Sequence, residues 1–221
     1  MNEISKLLNS MESLLAAGSY LAGGMIPEIV PTIPDEEWQQ VATASPKRQR
    51  EFSCGRNYSH QLLDQLGFSN FIIGRDDKGC PLWPDGLAGS ISHTNNYCVA
   101  MIAPTDSYVS LGVDLEESGR MKKTLWPRLF TAAEIQQLGN IGELDKQLRQ
   151  AAVIFSAKEA FYKCDYPINR QLHEFTDIEI TLNSTSRTLQ VNQLSQGELA
   201  GYQGHYVTGM THVMTVIQKT A

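Results

Sequence analysis

A long helix followed by strands occurs twice along this sequence, and the repeated order limits the folds open to the chain. Ser45-Pro46 is typical of a helix N-cap with proline in the first turn, and this helix is predicted to end at Gly67. A second helix is predicted over residues 144–164. Strands are predicted before and after it, over residues 71–73, 90–93, 97–103, 108–116, 177–182, 188–194, 206–210 and 212–217.

This order predicts an α+β fold in which two halves pack together. We place the N-terminal half at residues 1–108 and the C-terminal half at residues 109–221. An apolar stripe at helical spacing near the start predicts a short amphipathic helix that packs on the body of the protein. The stripe consists of Ile4, Leu7, Leu8, Met11, Leu14 and Leu15.

Composition excludes several classes of protein. With 42% hydrophobic residues, the 221-residue chain is too apolar to be disordered. It has 24 acidic and 18 basic residues, and this net charge of −6 argues against a broad nucleic-acid-binding surface. The uncharged stretch 13–27 is too short for a membrane span and follows no basic segment. Four cysteines without a CxxC pair predict free thiols in the cytoplasm.

Two acidic residues lie two positions apart on a predicted strand. Side chains alternate faces along a strand, so Asp114 and Glu116 share one face while Val113 and Leu115 point into the core. Neighbouring carboxylates repel each other unless a cation lies between them, and Mg²⁺ is usually held by one or two carboxylates and substrate phosphates. The alternative is a solvated sheet edge, which is the commoner setting for an isolated acidic pair.

The second long helix carries Glu159 and Lys163 one turn apart. Glu159 could supply a third metal ligand, and Lys163 could contact a phosphate. Apolar and aromatic residues flank the pair, which predicts a largely buried helix whose charged groups need partners. The alternative is an ordinary surface ion pair.

A third candidate is the strand that ends in Ser92-His93. A hydroxyl and an imidazole at a strand end can both donate hydrogen bonds to a phosphate. The alternative is a purely structural histidine.

Together these segments resemble the 4′-phosphopantetheinyl transferases that act on carrier proteins, in particular the enterobactin-synthase component D branch. The segments occur in the family's order, between residues 52 and 163. They are Phe52-Ser53-Cys54-Gly55-Arg56, Pro81-Leu82-Trp83-Pro84-Asp85-Gly86-Leu87-Ala88-Gly89-Ser90-Ile91-Ser92-His93, Gly112-Val113-Asp114-Leu115-Glu116 and Phe155-Ser156-Ala157-Lys158-Glu159-Ala160-Phe161-Tyr162-Lys163.

The resemblance implies a fold, a reaction and a partner. The fold is a pair of similar α/β halves related by a pseudo-twofold axis, with coenzyme A bound between them, and such a chain is expected to be a monomer. The reaction is Mg²⁺-dependent transfer of the phosphopantetheine arm of coenzyme A to a serine of an apo carrier protein, which releases 3′,5′-ADP. A peptidyl, aryl or acyl carrier of siderophore or other nonribosomal peptide biosynthesis is the implied acceptor.

The resemblance also assigns roles by position. The implied Mg²⁺ ligands are Asp114, Glu116 and Glu159. The implied coenzyme A contacts are Arg48, Arg56, Lys78, Ser92, His93 and Lys163. The implied catalytic residues are His93, Glu134, Glu159 and Lys163. Related enzymes of another branch have a lysine where this chain has Cys80, and whether Lys78 replaces the phosphate contact of that lysine stays open.

Two roles are open for Glu134. The pattern Thr131 to Glu134 matches a helix capping box, and residues 130–134 also resemble a family segment that carries a proposed general base. Glu159 or a metal-bound water is the alternative base.

The acidic chain contains one basic segment, residues 120–128, that lacks acidic residues. We predict that it docks the carrier protein, because carrier proteins of this kind are acidic around the modified serine. The residues predicted at this surface are Arg120, Lys122, Lys123, Trp126 and Arg128. The alternative is a solvated basic loop.

Two other functions are compatible with the same residues. A Mg²⁺-dependent phosphohydrolase of coenzyme A-like substrates could use the same three carboxylates. A carrier-binding or coenzyme A-binding module without catalysis would have no reason to keep those carboxylates together with Lys163.

Overall fold

The first half of the chain forms an antiparallel sheet covered on one face by a long helix. The computed structural model describes residues 2–171, 173–195 and 197–220, apart from the side chain at position 198. The elements up to residue 104 are α1 (Glu3–Glu12), β1 (Tyr20–Met25), α2 (Asp35–Trp38), α3 (Pro46–Gln65), β2 (Gly74–Arg75), β3 (Pro81–Leu82), β4 (Leu87–His93) and β5 (Tyr97–Pro104). The strand order is β1-β5-β4, and β2 pairs with β3.

Helix α3 begins and ends where the sequence predicts. Ser45 Oγ accepts a hydrogen bond from Arg48 N (3.3 Å), and Pro46 occupies the first helical position. Gly67 follows the helix with a φ of +84°, a conformation that glycine adopts without steric cost. The inner face of α3 packs on β4 and β5, and this contact forms the apolar core of the first half.

The second half repeats the arrangement of a long helix on an antiparallel sheet. Its elements are β6 (Ser110–Glu117), a 3₁₀ turn (Lys123–Leu125), α4 (Trp126–Leu129), α5 (Ala132–Gly139), α6 (Leu144–Asn169), a 3₁₀ turn (Phe175–Asp177), β7 (Ile178–Asn183), β8 (Thr188–Gln193), β9 (Gly197–Glu198), β10 (Tyr202–Thr208) and β11 (His212–Lys219). The strand order is β6-β11-β10-β8-β7, with β9 paired to β8. The predicted α+β fold is confirmed.

Strands β4 and β6 lie side by side at the seam between the two sheets. Ser90 Oγ accepts a hydrogen bond from Val113 N (3.1 Å), and Ser92 Oγ accepts one from Leu115 N (3.3 Å). The two hydroxyls lie on one face of β4 and occupy the acceptor position that carbonyl groups have in a regular ladder. The seam therefore brings the Ser-His strand of the first half next to the acidic strand of the second.

A glycine lets α6 approach β6 closely. A Cβ atom at Gly112 would lie 1.9 Å from Ala160 O and 2.8 Å from Cys164 N, so no larger residue fits beneath the helix. Glu159 and Lys163 lie on the part of α6 that rests on this glycine. The contact therefore carries them to the face of β6 that bears Asp114.

Helix α1 confirms the predicted amphipathic segment. Ile4, Leu7 and Met11 are buried in a cluster with residues of β5, β6, β10 and β11, on the face of the sheets opposite α3 and α6. Glu3 anchors the start of the helix by accepting hydrogen bonds from the backbone N–H groups of Thr211 (2.7 Å) and His212 (3.1 Å). The helix thus holds both halves together from one side.

Several predicted boundaries are wrong. Residues 71–73 form no strand, and residues 36–44, where Asp35 as a cap predicts a helix, form only the end of α2 followed by turns. The pattern does not predict β1, which is glycine-rich and is ordered by pairing with β5: a Cβ at Gly23 would lie 2.6 Å from Cys98 O. Helix α6 continues past its predicted end and includes Pro167. None of the helices in the described residues is long and apolar enough to cross a membrane.

Candidate active site

A cavity of about 670 Å³ lies at the seam, between α3 and β4 of the first half and β6 and α6 of the second. Its lining brings together nearly all of the predicted site residues. These are Arg48, Arg56, Lys78, Ser92, His93, Asp114, Glu116, Glu159 and Lys163. The fold therefore brings the two acids of β6 and the Glu159–Lys163 pair of α6 into one cavity, although they come from distant parts of the chain.

Three acids line the cavity, Asp114, Glu116 and Glu159, and we call this part of the lining the acidic wall. Asp114 is the centre of its hydrogen-bond network. Its Oδ1 atom accepts hydrogen bonds from Ser92 Oγ (2.8 Å) and Lys163 Nζ (2.6 Å). Lys163 Nζ also lies 3.0 Å from Ser92 Oγ and 3.3 Å from Val113 O. In this structure the Lys163 ammonium neutralises Asp114, which links α6 of one half to both strands of the seam.

Burial, together with repulsion from Asp114, raises the pKa values of the other two acids. Burial, followed by repulsion from Asp114, raises the pKa of Glu116 to about 7, although Arg120 and Lys163 oppose the shift. Burial also raises the pKa of Glu159, and Asp114 adds to this effect while Lys163 opposes it. Burial therefore favours the protonated forms of Glu116 and Glu159.

The acidic wall meets part of the requirement for a divalent metal. Asp114 Oδ2 and Glu116 Oε2 are buried without a hydrogen-bond partner, and carboxylate oxygens are the ligands that Mg²⁺ prefers. However, the expected cluster of three carboxylates is not assembled. Within residues 2–171, 173–195 and 197–220, no three His, Cys, Asp or Glu side chains converge closely enough to hold a metal. The Lys163 ammonium, rather than Glu159, contacts Asp114.

The basic residues of the lining from the first half, Arg48, Arg56, Lys78 and His93, form what we call the basic wall. His93 lies there between an arginine and a carboxylate. Arg48 Nη1 lies 2.9 Å from His93 Nε2, and because a guanidinium only donates, Nε2 is the acceptor and the proton is on Nδ1. Nδ1 lies 3.8 Å from the carboxylate of Glu51. Burial lowers the pKa of His93, Glu51 opposes the shift, and Arg48 and Lys163 reinforce it. The histidine is therefore held neutral, with its tautomer set by Arg48.

Arg56 is more buried than a typical anion-binding arginine, with 2% of its surface exposed. Its Nε lies 3.8 Å from Glu37 Oε2, and its Nη2 lies 3.4 Å from the carbonyl of Gly74. Burial lowers the pKa of Arg56 to about 10, although Glu37 opposes the shift. Arg56 nevertheless lines the cavity, beside Arg75, which donates to the carbonyl of Gln40 (2.6 Å).

Glu134 lies outside the cavity. Its side chain is fully buried and closes the predicted capping box, accepting a hydrogen bond from Thr131 N (2.8 Å). It also accepts hydrogen bonds from Ile180 N (2.8 Å) and Lys158 Nζ (2.7 Å). The capping role is confirmed, and the placement argues against the alternative role of base, because Glu134 is fully buried and does not line the cavity.

The basic segment is more ordered than predicted. Residues 120–128 contain a 3₁₀ turn and the start of α4, and Arg120, Lys122, Lys123 and Arg128 are exposed. Trp126 does not belong to this surface: it is 5% exposed, packs in the apolar core of the second half and donates from Nε1 to Met121 O (3.1 Å). Its prediction as a docking residue is wrong, because the indole is buried in the core and is not available to a partner.

Several cavity residues were not predicted from the sequence. They are Glu51, Phe52, Arg75, Tyr162 and Tyr166. Glu51, Phe52, Tyr162 and Tyr166 lie three or four positions from a predicted site residue on the same helix. Helical spacing from Arg48, Arg56, Glu159 and Lys163 is therefore the signal that could have found them. Arg75 follows a loop with no periodicity and carries no such signal.

A basic wall and an acidic wall line one cavity at the seam, an arrangement that suits a ligand with several phosphate groups. A family model for the 4′-phosphopantetheinyl transferase N-terminal domain matches residues 36–103, and one for the 4′-phosphopantetheinyl transferase superfamily matches residues 110–216. The chain belongs to the 4′-phosphopantetheinyl transferase superfamily.

Curated relatives agree with this assignment. The chain is 28% identical to 4′-phosphopantetheinyl transferase Svp of Streptomyces mobaraensis, over 84% of this chain and 78% of the relative. It is 30% identical to 4′-phosphopantetheinyl transferase Npt of Nocardia iowensis (77% and 76%) and 34% identical to enterobactin synthase component D of Salmonella typhi (69% and 63%). A solved Thermotoga maritima holo-[acyl-carrier-protein] synthase is 18% identical over 52% of this chain and 65% of that chain, with a TM-score of 0.40.

Proposed function

We propose that this protein transfers the 4′-phosphopantetheine arm of coenzyme A to a serine hydroxyl of an apo carrier protein and releases 3′,5′-ADP. The observation that carries the proposal is the seam cavity, in which a basic wall from α3 and β4 faces the acids of β6 and the Glu159–Lys163 turn of α6. The reaction needs both walls, because the enzyme must bind the pyrophosphate of coenzyme A and stabilise the negative charge that develops on the 3′,5′-ADP leaving group.

The basic wall supplies binding groups for the phosphates of coenzyme A. Arg48, in contact with His93, offers guanidinium donors to the cavity, and Arg56 and Lys78 line the same cavity. A guanidinium group can donate two parallel hydrogen bonds to the oxygens of one phosphate, so the arginines orient the ligand as well as attract it. Ser92, at the seam, lies between this wall and the acidic one.

The acidic wall supplies the metal ligands in this proposal. Asp114 and Glu116 would hold Mg²⁺ through the buried oxygens that accept no hydrogen bond, and Glu159, which lines the same cavity but does not converge with them in this structure, would be the third ligand. The ion would neutralise charge on the pyrophosphate and on the leaving group. Lys163 would stabilise the leaving phosphate, and Glu159 would accept the proton of the attacking serine.

The acceptor in this proposal is a peptidyl, aryl or acyl carrier of siderophore or other nonribosomal peptide biosynthesis, modified in the cytoplasm. The support is the similarity to the transferases named above, one of which is an enterobactin synthase component. The exposed charges of residues 120, 122, 123 and 128 would dock the acidic carrier. Arg120, 3.7 Å from Glu116, connects this surface with the cavity.

Intact-mass analysis tests the proposed function. An apo peptidyl carrier incubated with the protein, coenzyme A and Mg²⁺ should gain the mass of one phosphopantetheinyl group, and EDTA should prevent the gain. Glu159→Gln should abolish transfer, whereas Glu143→Gln, an exposed glutamate at the start of the same helix, should leave it unchanged. Coenzyme A consumed without labelling of the carrier would indicate a phosphohydrolase, and binding without consumption would indicate a non-catalytic module.

A further inference from the structure

The loop that carries Lys78 is organised around one carboxylate. Asp76 Oδ1 accepts hydrogen bonds from the backbone N–H groups of Lys78 (3.0 Å) and Cys80 (2.9 Å), which folds residues 76–80 into a tight turn. Asp76 N in turn donates to Cys80 O (3.0 Å). Lys78, Gly79 and Cys80 form part of the cavity wall, so the conformation of this turn decides where Lys78 can reach.

The second oxygen of the same carboxylate reaches the other half of the protein. Asp76 Oδ2 accepts a hydrogen bond from Arg170 Nη1 at 2.5 Å, although the two residues are 94 positions apart. Arg170 is the C-terminal cap of α6 and has a φ of +54°. Its guanidinium also lies 5.3 Å from the ring centroid of Tyr166, which lines the cavity on the α6 side.

These contacts form a bridge from one half to the other. The carboxylate of Asp76 is largely covered, with 13% of its side chain exposed, whereas 55% of the Arg170 side chain is exposed. Although desolvation opposes it, the hydrogen bonds from Cys80 N and Arg170 lower the pKa of Asp76, so the carboxylate stays charged near neutral pH. The bridge therefore joins a turn of the first half to the end of the helix that carries Glu159 and Lys163.

We propose that Asp76 and Arg170 are positioning residues that hold the Lys78 turn against α6 and so present Lys78 to the phosphates of coenzyme A. The inference rests on the proposed function. An ion pair with one exposed partner adds little to folding stability, and this one joins two segments, the Lys78 turn and the end of α6, that both contribute to the cavity lining. A lysine on an unrestrained turn would lose conformational entropy when coenzyme A binds, and the bridge removes that cost in advance.

The test measures the dissociation constant of coenzyme A by calorimetry for three variants: Asp76→Asn, Arg170→Met and Lys78→Met. Asp76→Asn keeps an oxygen for the turn but loses the charge. Each should raise the Kd and the KM for coenzyme A about 3- to 10-fold, with kcat and the KM for carrier within about twofold of wild type. Combining Arg170→Met with Lys78→Met should add little to either single change, because the bridge acts through Lys78.

Arg187→Met is the matched control. Arg187 is also an exposed arginine in a left-handed conformation (φ 56°), but it lies on the β7–β8 turn, away from the cavity. It should leave coenzyme A binding unchanged, and all variants should unfold at the wild-type temperature. Raising the ionic strength should reduce the difference between wild type and Arg170→Met, since salt screens an exposed pair.

Three results would overturn the inference in different ways. Wild-type affinity in Arg170→Met and Asp76→Asn, with weakened binding in Lys78→Met, would show that the bridge does not position the lysine. A fully additive double variant would show that Arg170 acts independently of Lys78. A wild-type protein that binds no coenzyme A would overturn the proposed function as well as the bridge.

Discussion

Glu134 illustrates, at the scale of single residues, how burial decides the role of a carboxylate. It accepts hydrogen bonds from two backbone N–H groups and from Lys158, whose ammonium also donates to the carbonyls of Leu129 (3.0 Å) and Phe175 (2.7 Å). Both side chains of the ion pair are fully buried. Such a pair contributes structure, because removing one partner leaves the other charge without compensation.

Glu134→Gln should therefore destabilise the protein without removing its chemistry. We expect the free energy of unfolding to fall by about 3–5 kcal/mol, because the Lys158 ammonium is left buried beside a neutral group. Denaturant titration measures the loss, and a carrier-labelling assay well below the unfolding temperature should show near wild-type kcat. A folded variant with transfer reduced by orders of magnitude would instead restore Glu134 as the base.

Lys163, unlike Glu134, is expected to matter for activity more than for stability, because it lies at the cavity with 29% of its side chain exposed. Lys163→Met should lower kcat about 10²- to 10³-fold, since a preorganised charge at the leaving group is lost. Coenzyme A affinity should fall much less. Stopped-assay kinetics and calorimetry separate the two effects, and Lys146→Met, an exposed lysine on the same helix, is the control. Equal losses in binding and in kcat/KM would make Lys163 a binding group only.

At the scale of elements, the contact between α6 and β6 sets the geometry of the acidic wall. The helix can approach the strand only because position 112 lacks a side chain. That distance decides whether Lys163 Nζ reaches Asp114, which it does at 2.6 Å. The packing of one helix on one strand thus controls both stability and the site.

Gly112→Ala should disturb both properties together. The added methyl group would meet backbone atoms of α6, which cannot rotate away, so we expect a loss of about 2 kcal/mol or more in stability and a parallel loss of kcat. Thermal unfolding and transfer kinetics check the two effects. Gly139→Ala is the matched control, because a Cβ there meets nothing within 4 Å. Wild-type stability in Gly112→Ala would contradict the close packing described.

At the scale of the whole molecule, charge is distributed unevenly. The chain carries a net charge of −6, yet residues 120–128 expose four basic side chains next to the acidic wall. An acidic carrier would be repelled by the molecule as a whole and attracted by this segment. Docking should therefore depend on a few local charges more than on the net charge.

Reversing the charges of Lys122 and Lys123 to glutamate should raise the KM for carrier about 10-fold or more and leave the KM for coenzyme A unchanged. The effect should shrink at high salt, because both lysines are exposed. Arg187→Glu combined with Lys146→Glu, at two exposed positions outside this segment, makes the same change in net charge and is the control. An unchanged KM for carrier would remove this segment from the docking surface.

The local features of this protein could be predicted from the sequence, because backbone geometry alone determines them. The cap at Ser45, the capping box at Thr131 and the apolar stripe of α1 depend on residues three or four positions apart. The shared face of Asp114 and Glu116 depends on residues two apart. These relations hold on any helix or strand, whatever packs against it.

Contacts between distant residues were decided only by the tertiary structure. Lys163 reaches Asp114 across 49 positions and Arg170 reaches Asp76 across 94, and Trp126 turned from a predicted surface residue into a core residue. The order of β1 also depends on its partner strand, β5. Periodicity states which face of an element a side chain occupies, but the partner opposite that face is set by how the elements pack, which no local spacing encodes.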